Sequence, residues 1–228
     1  MTNPIKHVFF DLDHTLWDFD KNSGLTFEKI FNLNKIEVEL NDFLSIYEPI
    51  NLNYWKLYRE EKVTKSALRY GRLREAFDGV GITVEDEMIN HLSEAYIDNL
   101  SSFNYLFDGT FEILDYLKNK YELHIITNGF EEAQEKKMVA SNIKPYFKTV
   151  TNSEMVGVKK PNPKIFNFAL DLANANAKES IMIGDSLEAD IEGAHKIGMD
   201  TIHFDYKDAY NGHGYKRVTN LKTLINHL

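Results

Sequence analysis

Asp11 and Asp13 stand two residues apart at the end of an apolar run, residues 5–10, that only Lys6 and His7 interrupt. Such a run reads as a buried strand, and in open α/β sheets ligands bind at the carboxyl ends of strands. Two carboxylates so close together repel unless a cation or a shared proton separates them. The pair therefore requires positive charge nearby.

Three later patterns can supply the rest of a site. Thr127-Asn128-Gly129 closes the apolar stretch 123–126, Lys160-Pro161 follows, and Gly184-Asp185 closes the stretch 181–183 with Asp190 five residues on. One at a time each is ordinary: a strand-to-turn signal, one half of a solvated lysine pair, a helix start decorated for its dipole. Together, and in register with Asp11-Leu12-Asp13-His14-Thr15, they resemble the four motifs of the haloacid dehalogenase (HAD) superfamily across nearly the whole chain.

The resemblance implies a role for each residue. Asp11 is the nucleophile, forming an aspartyl-phosphate that splits one hard displacement into two easier ones. Asp13 protonates the leaving oxygen and then activates water, while Thr15 orders the loop. Asp185 joins the Asp11 carboxylate and the Asp13 backbone carbonyl around Mg²⁺, an ion suited to hard oxygen donors. Asp190 stands behind these ligands or reaches the metal through water, with Glu188 as a competing acid. The Thr127 hydroxyl and the amides of Asn128 and Gly129 hold phosphate oxygens. Lys160, not Lys159, adds a fixed positive charge, because the pattern places the lysine directly before proline. The histidines lack metal-ligand spacing, and His14, His124, His195 and His203 read as packing or surface residues.

Dehalogenases of this superfamily need no metal and typically lack an acid at the position of Asp13, so Asp13 and Asp185 point to phosphatase chemistry. The segment around Asp11, the Thr-Asn-Gly motif and Gly157-Val158-Lys159-Lys160-Pro161 are similar to the branch containing bacterial pyrimidine nucleotide 5′-nucleotidases. The expectation is a Mg²⁺-dependent phosphomonoesterase acting on a nucleoside monophosphate. Alternatives are a phosphatase of a sugar phosphate or phosphoglycolate, a phosphomutase, or a module that binds a phosphorylated ligand without turnover; the last would be marked by loss of Asp11, Asp13, Lys160 or Asp185, and none is lost. Trp17, Phe19, Tyr54, Trp55 and Tyr58 offer stacking surfaces and Arg69, Arg72 and Arg74 offer anion contacts. Their helical spacing reads instead as helix core and solvated helix face.

These residues need elements to position them, and the chain has length enough. Its 228 residues, 43% hydrophobic and 27% charged, suit a globular core with a smaller appended unit. A net charge of −9 argues against a nucleic-acid polymer as partner, though not against a small phosphorylated substrate beside local cations. With no cysteine, thiolate catalysis and disulfides are excluded. Neither a signal peptide nor a bilayer-spanning run is legible, which sets the expectation of a cytoplasmic enzyme, monomer or homodimer, with no membrane partner.

From residue 25 to about 100 the apolar positions fall at helical spacing, with Pro49 expected to kink or divide the second helix. From residue 107 the pattern becomes βα alternation, with strands at 123–126, 147–150, 181–183 and 201–204 and a helix closed by Gly198. Alternation of this kind implies parallel strands and right-handed crossovers. The expected fold is thus α/β, a Rossmann-like three-layer core of residues 1–19 and 103–228. In the resemblance the all-helical insert, residues 20–102, is a cap domain that closes over the site.

Overall fold

The computed structural model describes residues 4–210, 212 and 214–228. Two compact units divide the chain, one of Met1–Phe19 with Asn104–Leu228 and the other of Asp20–Phe103. Strand β1, His7–Phe10, opens the first unit. Four helices follow: α1 (Phe19–Asn34), α2 (Leu40–Arg59), α3 (Lys65–Gly79) and α4 (Asp86–Leu100). The chain continues through α5 (Thr110–Leu117), β2 (Glu122–Thr127), α6 (Glu131–Ala140), β3 (Thr149–Asn152), α7 (Ser153–Val156) and α8 (Pro163–Leu172). It ends with β4 (Ser180–Gly184), α9 (Gly193–Lys196), β5 (Asp200–Phe204) and β6 (Lys216–Val218).

The six strands form one sheet in the order β3-β2-β1-β4-β5-β6, and every pair is parallel. This is the α/β architecture expected from the sequence, with an inserted all-helical unit. Val8, Phe9 and Phe10 are wholly buried because β1 is central and both its faces are covered. Phe9, Ile126 and Met182 form one core cluster with Ile165, Phe166 and Ala169 of α8. Register then does the work of positioning. Phe10 pairs with Ile125 on one side and Ile183 on the other, so Asp11, Thr127 and Asp185 leave the sheet at the same edge.

The helical unit is held by aromatic residues. The Phe27 ring meets Phe43 at 5.0 Å, Tyr47 at 4.6 Å and Tyr96 at 4.6 Å between centroids, spacings at which edge and offset contacts are favourable. Thr64 caps α3 by accepting from the Ala67 amide, and Asn162 caps α8 ahead of Pro163.

The structure departs from the expected elements at several points. Pro49 does not divide α2, which runs unbroken; Pro49 is exposed, while Phe43, Tyr47 and Asn51 bury the opposite face. The first helix begins at Phe19, and the third strand lies two residues later than expected. Residues Leu187–Glu192 form a π-helical turn ahead of α9, a local widening often found at functional sites. β6 has only three residues and no apolar run to announce it. Arg72 is not on a solvated face. It is 2% exposed, its guanidinium lies over the rings of Tyr96 and Tyr47, and Nη1 donates to Asn51 Oδ1 at 2.9 Å. Tyr54, Trp55 and Tyr58 are half-buried rather than core. Among the described residues no helix is long and apolar enough to cross a membrane.

Candidate active site

The carboxyl edge of the sheet gathers the residues that the four sequence patterns single out. Asp11 follows β1, and its amide donates to Ile183 O of β4 at 2.9 Å, which fixes the turn out of the strand. Lys160 Nζ lies 2.7 Å from Asp11 Oδ1, 2.6 Å from Asp190 Oδ1 and 2.7 Å from Ile126 O. The contacts to Asp11 and Ile126 are hydrogen bonds and that to Asp190 is an ion pair, all made by a side chain that is 2% exposed. Lys160 is therefore a buried charge held against Asp11, at the junction of β1, β2 and the turn after β4.

Asn128 keeps Lys160 in place. Its Oδ1 accepts from the Lys160 amide at 2.7 Å and its Nδ2 donates to the Lys160 carbonyl at 3.0 Å. One amide side chain thus ties the turn after β2 to the turn before α8. Thr127 is buried, and its Oγ1 accepts from the Gly129 amide at 3.1 Å and from Gln134 Nε2 at 2.7 Å. With both acceptor positions filled, the Thr127 hydroxyl keeps its own proton to donate. The Gly129 N–H, expected to hold a phosphate oxygen, donates to Thr127 Oγ1 in this structure. A side chain at Gly129 would also run into Gln134.

Asp13 carries its own cation. Its Oδ1 lies 2.6 Å from Lys137 Nζ and its Oδ2 accepts from Gln134 Nε2 at 3.0 Å. Both partners come from α6, three residues apart and on one face of the helix. Lys137 is 2% exposed, with Nζ 4.4 Å from the centroid of the Trp17 ring. Neither Lys137 nor Gln134 belongs to a pattern legible in the chain. The one signal was a lysine and a glutamine at helical spacing after Thr127-Asn128-Gly129, and helix surfaces carry many such pairs.

Asp185 follows β4, accepts from Thr15 Oγ1 at 3.4 Å, and is anchored through its carbonyl by His203 Nε2 at 2.8 Å. Thr15 thus braces the acidic cluster as well as its own loop. Asp190, from the π-helical turn, is 1% exposed and accepts through Oδ2 from the Ser186 amide at 3.0 Å. Its carboxylate packs so closely on Gly184 that any side chain there would collide with it. Glu188 is exposed on the same turn, so the buried acid is Asp190. His14 packs between Phe19 and Tyr206 and meets the Tyr206 hydroxyl at 2.9 Å.

Donor atoms of Asp11, Asp185 and Asp190 lie within 4.8 Å of one another. Three carboxylates around one ammonium leave negative charge in excess. Burial pushes the Asp11 carboxyl up to about 7, Lys160 opposing and Asp190 and Asp13 adding to the rise. Burial, then Asp190 and Asp11, raise Asp185 well above the usual carboxylate range. Burial works against the charge on Lys160, but Asp11 and Asp190 outweigh it and hold the ammonium above the ordinary lysine value. An oxygen-only donor set with surplus negative charge fits a hard divalent cation such as Mg²⁺. Asp11, Asp185 and Asp190 all bring carboxylate oxygens to this cluster, and Asp190 also pairs with Lys160 and accepts from the Ser186 amide.

An aspartate after the central strand, a buried lysine against it and an acidic cluster at the carboxyl end of a parallel sheet are the features of a HAD-type hydrolase. Residues 8–204 match the sequence profile of the haloacid dehalogenase-like hydrolase family, and the chain belongs to that family. It is 30% identical over 195 residues to the HAD hydrolase YfnB of Bacillus subtilis, covering 85% of this chain and 81% of that one. The crystal structure of magnesium-bound YfnB matches over 99% of both chains with a TM-score of 0.89 and 28% identity. The pyrimidine 5′-nucleotidase YjjG of Escherichia coli is 31% identical, covering 85% of this chain and 83% of its own. The glyceraldehyde 3-phosphate phosphatase of Pyrococcus abyssi is 32% identical, covering 89% and 82%. The protein is an enzyme of the HAD phosphatase type.

Proposed function

We propose that the protein hydrolyses the phosphate monoester of a nucleoside monophosphate through an aspartyl-phosphate on Asp11, with Mg²⁺ as cofactor, in the cytoplasm. The observation that carries the reading is the pairing of two aspartates two residues apart with two different buried lysines. Lys160 opposes the burial that raises the Asp11 carboxyl and so favours its anionic, nucleophilic form. Lys137 and Gln134 hold Asp13 to one side, where it can serve the leaving oxygen and later a water.

Phosphoryl transfer asks a protein for position and charge more than for covalent chemistry. Asp11 attacks phosphorus and the ester oxygen leaves, taking a proton from Asp13. Asp13, now a base, withdraws a proton from water, which attacks the acyl-phosphate and returns Asp11 as carboxylate. The Thr127 hydroxyl donates to a phosphate oxygen in both steps, and the Asn128 amide is placed on the same turn. Asp11, Asp185 and the Asp13 carbonyl would hold Mg²⁺, which when bound neutralises charge on the transferring phosphoryl group.

The nucleotide is supported by the likeness to YjjG, and glyceraldehyde 3-phosphate is the second reading because the Pyrococcus abyssi phosphatase is equally similar. One ester carries a base and a ribose and the other a triose, so kcat/KM separates them. Phosphate release from pyrimidine and purine monophosphates, glyceraldehyde 3-phosphate and phosphoglycolate decides between them. The nucleotide reading expects at least tenfold higher kcat/KM for a pyrimidine monophosphate; preference for the triose keeps the chemistry and replaces the substrate.

A further inference from the structure

Strand register at the opposite end of the sheet brings together three side chains that the active site does not use. His7 begins β1 and pairs with Glu122 at the start of β2, while His124, two residues on, faces the same side as Glu122. His7 Nδ1 lies 3.2 Å from His124 Nε2 and 3.7 Å from Glu122 Oε2, and the donor atoms of all three fall within 4.8 Å of one another. The spacing of 117 residues between the histidines hides this in the sequence, where His124 reads as a packing or surface residue.

From this geometry we propose that His7, Glu122 and His124 form a second metal site, for a borderline divalent cation of the zinc class. Two nitrogens each about 2.0–2.1 Å from a tetrahedral zinc stand roughly 3.3 Å apart, and the two imidazole nitrogens already hold that separation. His124 Nδ1 meets Thr149 Oγ1 of β3 at 2.9 Å. With its proton on that nitrogen, His124 turns the Nε2 lone pair toward His7 and Glu122, the outer hydrogen bond that metal-ligating histidines characteristically make. His124 is wholly buried, His7 half-buried and Glu122 exposed, so the cluster opens to solvent on one side. Three protein ligands and one open position then suit an ion delivered from solution. Imidazole donors disfavour Mg²⁺ and Ca²⁺ and favour Zn²⁺, Co²⁺, Ni²⁺ or Cu²⁺. The site is separate from the Asp11 cluster, since four residues of strand place His7 about 13 Å from Asp11. Its effect is to clip β1 to β2 at their starts.

The test uses the full chain without added histidines, stripped with a chelator and titrated with Co²⁺ and then Zn²⁺. The wild type and an Asp185→Asn variant are expected to show the same visible Co²⁺ absorption band, saturating with one equivalent at the histidine site and displaced by Zn²⁺. His7→Ala should lose the band and bind at least tenfold more weakly, and Glu122→Gln, at an exposed position where folding is safe, should weaken binding severalfold. Zn²⁺ should raise the melting temperature of the wild type and not of His7→Ala, while Mg²⁺-dependent phosphate release is the same in both. The proposal is overturned if the band survives both substitutions, if it disappears in Asp185→Asn, or if the stripped wild type binds neither ion. Each of those results leaves the phosphatase reading standing.

Discussion

Lys137 Nζ lies 2.6 Å from Asp13 Oδ1, a buried ammonium gripping the aspartate proposed to give and then take a proton. Replacing Lys137 by Met removes the grip and leaves Asp13 without its counter-charge. Breaking a buried pair from one side costs about 3 kcal/mol, so urea denaturation should record a loss of that order. The steady-state signature is a fall in kcat of about 10- to 100-fold with little change in KM. A variant that loses stability while keeping kcat would assign Lys137 a purely structural role.

Asn128 holds Lys160 through two hydrogen bonds to its backbone. Asn128→Ala leaves a buried N–H and C=O unpaired, at about 1–3 kcal/mol for each group left without a partner. Lys160 then drifts from Asp11, and kcat should drop at least tenfold. Asn128→Asp keeps the acceptor and loses the donor, so its kcat should fall between those of the wild type and Asn128→Ala.

Metal binding should release protons near neutrality. Asp11 is pushed up to about 7, chiefly by burial. An ion must find its carboxylate ionised, so apparent Mg²⁺ affinity rises as pH passes upward through about 7 and flattens above it. The same raised value sets the metal-free stability. The folded state keeps a proton that the unfolded chain releases near 4, so this contribution is complete at low pH and is lost as pH rises through about 7. Calorimetry of Mg²⁺ binding at pH 7 in two buffers of different ionisation enthalpy should return a net proton release. Identical heats in both buffers would contradict the assignment of Asp11 as a ligand.

Asp11→Asn removes one of three carboxylates crowding a single lysine. Turnover should vanish, while the metal-free protein becomes more stable, most clearly above pH 7 where Asp11 is mostly charged. Thermal melts of both proteins in chelator compare them directly. A lower melting temperature for Asp11→Asn would mean that the Lys160 contact outweighs the repulsion.

Gly184→Ala should be severely destabilising, because the new methyl meets the Asp190 carboxylate. The expected loss is about 2–4 kcal/mol, with reduced Mg²⁺ affinity as Asp190 shifts.

Asp11, Thr127 and Asp185 were legible as neighbours because each stands at the end of an apolar strand run and parallel register brings strand ends together, while their proposed roles came from the family resemblance. Lys137 and Gln134 were invisible because a helix face shows its purpose only when its rotation about the strand is known. The same applies to Arg72: three arginines at helical spacing read as solvated, and only packing against Tyr47 and Tyr96 distinguishes the buried one. Pro49 and the three-residue β6 show tertiary contacts overriding local signals. The histidine pair illustrates the limit of spacing arguments, since β1 and β2 meet in space across more than a hundred residues of chain.

The account rests most heavily on Asp11 as the atom that receives phosphorus. Rapid acid quench of a single turnover with ³²P-labelled nucleoside monophosphate and Mg²⁺, followed by peptide mapping, tests it directly. Label on the peptide containing Asp11, appearing and decaying before free phosphate accumulates and absent from Asp11→Asn, is the predicted result. Phosphate released with no labelled peptide, and at an undiminished rate by Asp11→Asn, would contradict it.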